Sequence, residues 1–200
     1  MDPQALFNIP YGLFLLSARE GDCDNACIIN TAMQVTDTPF QLVIAVNKHH
    51  LTHDMIQRTK KFNLSILTQK TPFEVFQHFG FQSGRTTPKC LDRVYPRAAN
   101  GLIYLDTWAN TLLSGEVIST MDMGTHTLFL ASLPVAEILS TDETLTYSYY
   151  QQIIRKKTPL SHKKGFRCRV CGYIYEGETL PDDFICPICK HGAADFEEIA

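Results

Sequence analysis

The chain has 200 residues, of which 44% are apolar and 20% charged, with a formal net charge of −3. These values fit one ordinary globular domain, or one with a small appendage, and exclude bulk disorder, a collagen-like fibre and a disulfide miniprotein. No apolar run approaches the roughly 20 residues that span a bilayer, and the charge gives no electrostatic case for binding nucleic acid.

Residues 1–10 contain Asp2 and no basic group, which argues against a secretory signal and for a cytoplasmic protein. Beyond them, runs rich in β-branched and apolar residues predict strands over 13–18, 26–35, 40–47 and 62–68. A helix is expected over 52–61, with Thr52 as its N-cap and Met55 and Ile56 as its apolar face. Thr71-Pro72-Phe73-Glu74 reads as a capping box with proline at the first helical position, opening a second helix that ends near Phe79. Two further strands, 107–120 and 125–138, flank the turn-prone Asp122 and Gly124. Short strands around two helices predict a mainly β fold, a barrel with accessory helices, over residues 1–154.

This region carries no G-x-G-x-x-G, no nucleophile motif, no H-E-x-x-H and no P-loop. Polar residues gather instead at the ends of the expected strands: Asn30, Thr31, Gln34, Thr36, Asn47, Lys48, Thr52 and His53. The segment from Phe79 to Arg85, FGFQSGR, joins two glycines, a hydroxyl and a guanidinium. Backbone N–H groups of such a turn can approach a phosphate, with Ser83, Gly84 and Arg85 completing the contact. A glycine-rich surface turn is the plainer alternative. Cys23 and Cys27 lack partner cysteines for a second metal site, and Trp108 is expected in the core or at a dimer interface.

Composition then changes. Residues 151–170 hold seven Lys or Arg and no acid, whereas residues 171–200 hold seven acids and one base. The boundary is placed in a basic linker, 155–164, leaving a small domain over 165–200. In it, Cys168-x2-Cys171 and Cys186-x2-Cys189 form two knuckles that can close a tetrahedral four-thiolate site. So short a segment needs a metal to fold. Spacing alone admits iron or zinc. Phe166, Tyr173, Tyr175, Phe184 and Phe196 supply an aromatic wrapping, and Gly172 and Pro187 flank the ligands.

The segments CRVCGYIYEG and LPDDFICPICK resemble rubredoxin, whose single iron is held by four cysteines and carries one electron. The interval between the knuckles resembles the short rubredoxin-like modules of rubrerythrins. Upstream, GLFLLSARE, NACIINTAMQVT, LVIAVNKHHLTHDMI, FNLSILT, FGFQSGR and DMGTHTLFLASL closely resemble the flavin reductase-like, FMN-binding split-barrel family. The fused arrangement resembles that of the high-molecular-weight rubredoxins.

The resemblance implies an oxidoreductase that takes electrons from NADH or NADPH. They would pass through FMN and iron to a flavodiiron protein that reduces oxygen or nitric oxide. It implies FMN contacts at Asn30, Thr31, Gln34, Thr36, Asn47, Lys48, Thr52, His53, Ser65, Ser83, Gly84 and Arg85, and places His126 by the flavin and nicotinamide. It also implies a homodimer, with which the apolar run 102–105 is compatible. A flavin accepts two electrons and releases them singly, which suits a one-electron iron centre. The small domain, three bases against seven acids or net −4, offers a docking face for a basic partner. Two other readings are a carrier reduced by a separate reductase, and a non-redox protein with a structural zinc knuckle.

Overall fold

The structure is a computed structural model and describes residues 8–155, 165–169, 173–186 and 191–199. The chain divides into two compact units, Met1–Arg155 and Lys156–Ala200. The expected basic linker, beyond Arg155, lies outside the described residues, as do Cys171, Gly172, Pro187 and Cys189.

The large unit is built on one seven-stranded antiparallel sheet. Its strands are β1 (Phe14–Glu20), β2 (Cys23–Ile29), β3 (Ala32–Asp37), β4 (Phe40–Asn47), β5 (Lys61–Leu67), β6 (Ala109–Asp122) and β7 (His126–Ile138). Their order is β2-β1-β5-β6-β7-β4-β3, so β2 and β3 are the edges. Residues 14–18 of β1 are all buried because both faces are covered. Phe14 and Leu16 pack with Phe62, Leu64, Ile44 and Phe129 in the barrel interior. Leu13 and Leu15 pack on the other side with Phe76, Phe79, Tyr95 and Leu105. By contrast β4 alternates, with Leu42, Ile44 and Val46 inward. Shifts of register between Ser114 and Glu116 and between Val117 and Ser119 bend the long β6 around the barrel. Gly115 lies so close to the Phe62 ring that a Cβ there would stand 2.2 Å from it.

Helix α1 (Leu51–Thr59) follows β4 after a three-residue turn and seats Met55 and Ile56 in the barrel core. It ends at Lys60, whose left-handed backbone returns its N–H to Ile56 O. Helix α2 (Phe73–Gly80) covers the second core with Val75, Phe76 and Phe79. A short helical segment, α3 (Tyr147–Tyr149), continues through Tyr150–Ile154 and adds Tyr150 to the same core.

Four expectations need correction. The run 26–35 is two strands, broken at Asn30–Thr31 where the chain leaves one edge of the sheet for the other. Thr52 does not cap α1; His50 does, and Thr52 is buried beneath it, accepting a hydrogen bond from Asn25 Nδ2 at 2.8 Å. Thr71 forms no capping box, because Pro72 holds the N-cap and the Thr71 hydroxyl donates to Thr68 O at 2.7 Å. Leu102, Ile103 and Leu105 turn inward and are nearly unexposed, so this run is core and not an interface.

The small unit has strands β8 (Gly165–Cys168), β9 (Ile174–Tyr175) and β10 (Phe196–Ile199), in the order β10-β8-β9. Phe184 stands against Tyr173, Tyr175 and Phe196, with ring centroids 6.4, 4.6 and 5.3 Å away. Arg167 and Glu197 pair across β8 and β10.

Candidate functional site

The turn between β4 and α1 gathers most of the polar residues that the sequence singles out. Asn47 pairs with His126 across β4 and β7, and Lys48 N donates to Thr125 O at 3.1 Å. This puts the β6–β7 hairpin turn beside the start of α1. Asn47 Oδ1 accepts from His49 N at 2.9 Å, and Lys48 Nζ meets Asp122 at 2.6 Å. His53 then joins helix to sheet: its Nε2 lies 2.8 Å from Thr127 Oγ1, its Nδ1 2.9 Å from Asp54 Oδ1, and its ring stands edge-on to Phe129.

The FGFQSGR turn closes on the same place. Arg85 donates to Asp54 Oδ2 at 2.6 Å and to His49 O at 3.1 Å. Partial burial acts to raise the Asp54 carboxyl, but hydrogen bonds from His53 and Arg85 outweigh it and hold it below its ordinary value. Gly84 is required here, since a Cβ would fall 2.3 Å from Asn25 Oδ1. Ser83 Oγ accepts from Arg85 N at 3.3 Å.

Two residues absent from the sequence prediction complete the arrangement. His50 Nδ1 is buried and has no hydrogen-bond partner among the described residues, a rare condition for a buried polar atom. Burial, together with the nearby cations of Lys89 and Arg85, pushes its pKa down to about 4. Lys89 is 2% exposed and donates to Phe79 O at 3.0 Å and Gln82 O at 3.3 Å, fastening both ends of the turn that precedes Ser83. Burial lowers its pKa as well. A histidine pair in a run of polar residues, and a lone lysine in a loop, give no pattern from which such placement can be read.

The start of α1, an unsatisfied imidazole nitrogen and the Arg85 guanidinium bring together groups whose chemistry suits an oxyanion such as a phosphate. His126, at the edge of this site, has Nδ1 at 2.9 Å from Thr125 Oγ1. Its pKa is lowered, first by burial and then by the charges of His50 and His53. Asn30 and Thr31 belong to the same end of the sheet: Thr31 O accepts from Ala45 N, and the Thr31 hydroxyl donates to Asn30 Oδ1.

Other residues lie apart. Gln34 and Thr36 pair with Leu42 and Gln41, toward the far end of β4, and their side chains bond locally, to Thr36 O and Pro39 O. Ser65 is inside the fold, where its hydroxyl accepts from Leu105 N at 3.0 Å. Cys23 is exposed; Cys27 is buried, which raises its thiol pKa.

In the small unit, Cys168 and Cys186 are both fully buried. Each begins a Cys-x2-Cys motif, and Cys168 N donates to Tyr173 O and Cys186 N to His191 O, both at 2.8 Å. Two buried thiols in a unit whose described aromatic rings cluster on Phe184 fit a thiolate-held metal ion.

Comparison with known proteins agrees with both units. Residues 6–156 match the flavin reductase like domain family, and residues 166–197 match the rubrerythrin, rubredoxin-like domain. The chain is 33% identical to the high molecular weight rubredoxin of Moorella thermoacetica, in an alignment that covers 100% of both chains. It is 31% identical to a ferric-chelate reductase (NAD(P)H) of Archaeoglobus fulgidus, over 80% of this chain and 94% of that one. Among solved structures, the NADH:FAD oxidoreductase of Streptomyces globisporus superposes with a TM-score of 0.63 at 18% identity, covering 73% of this chain and 90% of that one.

Proposed function

This chain belongs to the flavin reductase-like family, and on that premise we propose that it oxidises a reduced nicotinamide dinucleotide in the cytoplasm and delivers the electrons singly to a flavodiiron-type oxygen or nitric oxide reductase. It is an oxidoreductase with FMN and iron as cofactors. When bound, FMN accepts an electron pair and the iron centre carries one electron at a time.

The observation that supports this reading best is the orphaned Nδ1 of His50 beside the N–H groups of α1. In the proposed site it donates to the FMN phosphate, and Lys48, Ser83, Gly84 and Arg85 surround the same group. Asp54 orients Arg85 through its carboxylate. Asn30, Thr31, Asn47 and His53 line the ring and ribityl chain, and His126, neutral near pH 7, stands by the nicotinamide. Thr52 and Ser65 act from inside the fold: Thr52 fixes Asn25 beneath Gly84, and Ser65 holds the 102–105 segment.

Gln34 and Thr36 serve the FMN of a second copy in a homodimer. The exposed apolar side chains of Met33, Phe40 and Met121, each at least 60% exposed, favour that assembly. Residues 1–154 form the flavin domain, 155–164 the tether and 165–200 the iron domain, with Cys168, Cys171, Cys186 and Cys189 as ligands. The acids of the iron domain dock on a basic face of the acceptor, so transfer to it slows as salt is raised.

The test is anaerobic mixing with NADH in a stopped-flow spectrometer. Flavin absorbance bleaches first, and the iron–thiolate bands bleach after it within a turnover. Iron bands that stay unchanged through many turnovers would refute the relay.

A further inference from the structure

A cavity of about 410 Å³ lies beside α2 and borders the second core. Its lining includes buried Val75, Phe79 and Leu105 and the rings of Tyr95 and Trp108. Its size is that of a small-molecule site. The exposed Arg93 guanidinium lies over both rings, 4.6 Å from the Tyr95 centroid and 5.8 Å from that of Trp108. The backbone here is strained. Trp108 has φ of 66°, a left-handed conformation that costs a bulky residue about 1–3 kcal/mol. It is held there by Thr68 N and the Thr71 hydroxyl, which both bond its carbonyl. Strain of this kind gathers at ligand sites.

The rest of the lining is largely polar. Glu74, Gln77 and His78 share one face of α2, and Gln82 and Asp92 complete the rim. With one arginine against two carboxylates, the lining carries one net negative charge when His78 is neutral. Aromatic and guanidinium planes stack a heterocyclic base, and a glutamine amide matches the N6/N7 edge of adenine. A carboxylate beside such a base accepts hydrogen bonds from ribose hydroxyls and repels a 2′-phosphate. Gln82 belongs to the FGFQSGR turn, so the cavity adjoins the segment assigned to the flavin phosphate. The chain has no G-x-G-x-x-G to hold a dinucleotide elsewhere.

We propose that this cavity binds the adenosine half of the nicotinamide dinucleotide and that its acidic rim selects NADH over NADPH. This rests on the reading that such a dinucleotide is the electron donor. Trp108 is the only tryptophan in the chain, so its emission reports directly on the site.

Holoprotein carrying FMN and iron is titrated with 5′-AMP, and binding is followed by Trp108 fluorescence and by equilibrium dialysis. AMP quenches the emission and competes with NADH. Arg93→Ala abolishes the quenching and raises the KM for NADH roughly tenfold. The same substitution raises the KM for reduced nicotinamide mononucleotide, which lacks adenosine, far less than that for NADH. Glu74→Gln lowers the KM for NADPH more than that for NADH. Absence of AMP binding, or equal KM increases for NADH and the mononucleotide in Arg93→Ala, would overturn the proposal. Failure of the donor reading is seen separately: NADH then leaves the flavin oxidised in the unmodified protein, whatever AMP does.

Discussion

In the large unit, Phe62, Leu64, Ile44 and Phe129 reach zero exposure within one hydrocarbon cluster. Among the described residues of the small unit, the side chains that reach it are the thiols of Cys168 and Cys186, while Tyr173, Tyr175, Phe184 and Phe196 remain partly exposed. The barrel therefore folds by removing apolar surface from water, and the small unit folds by binding its metal. One chain thus holds a unit whose stability resides in packing beside one whose stability is set by thiolate chemistry.

The largest effect is expected where the second material is removed. Tetrathiolate zinc sites contribute about 10–16 kcal/mol of apparent binding free energy, and an iron site of the same ligands is comparable in kind. Cys168→Ser should abolish the iron–thiolate bands and expose the C-terminal region to protease, while FMN content and the urea midpoint of the barrel stay unchanged. Loss of FMN in this variant would mean that the two units share their stability.

Phe129→Ala reverses the comparison. Removing a fully buried ring costs about 3–5 kcal/mol, and this ring also backs His53. The unfolding free energy of the barrel, from urea titration, should fall by that amount while the iron bands persist.

Acid separates the units next. His50 has a pKa of about 4 in the fold against an ordinary 6.5, so between those values the unfolded chain binds the additional proton. The stabilisation is complete above pH 6.5 and is lost as the pH falls toward 4, amounting to about 3 kcal/mol. His50→Gln should flatten this part of the pH–stability curve for the FMN-free barrel. Bound FMN should also flatten it, because a phosphate beside the imidazole favours its charged form.

Smallest in stability is Arg85→Ala. The Arg85–Asp54 pair is partly exposed and contributes little to folding. FMN affinity should drop roughly tenfold, the loss of one charge-assisted contact of about 1.4 kcal/mol, with no change in the urea midpoint. Equilibrium dialysis of FMN checks it, and unchanged affinity would remove Arg85 from the site.

Much of this comparison is legible in the residues. The spacing of Cys168 and Cys186 from their partners marks a metal unit without reference to a fold. The apolar runs of β1, β4 and β5 mark strands because burial on one or two faces leaves its period in the sequence. What stays hidden depends on long-range contact. Asn30–Thr31 breaks an apparent single strand because the chain changes sheet edge there. Ser65 looks like a site residue until Leu105 N is found on its hydroxyl. His50 and Lys89 sit among unremarkable polar residues, and their burial comes from the 80–90 segment folding over α1 and α2. No local propensity foretells the left-handed backbone of Trp108, which tertiary hydrogen bonds impose.

Edge strand β3 has β4 on one side and, among the described residues, no strand on the other. Its far end is interrupted by the register shift between Gln34 and Thr36 and followed by Pro39, devices that discourage indiscriminate ribbon growth. The uninterrupted register runs only from Ala32 to Gln34, too short for a backbone ladder to dominate an association. Whatever covers this margin meets it through methionine and valine side chains, so the contact tolerates sliding and sequence drift better than a continuous intermolecular sheet would.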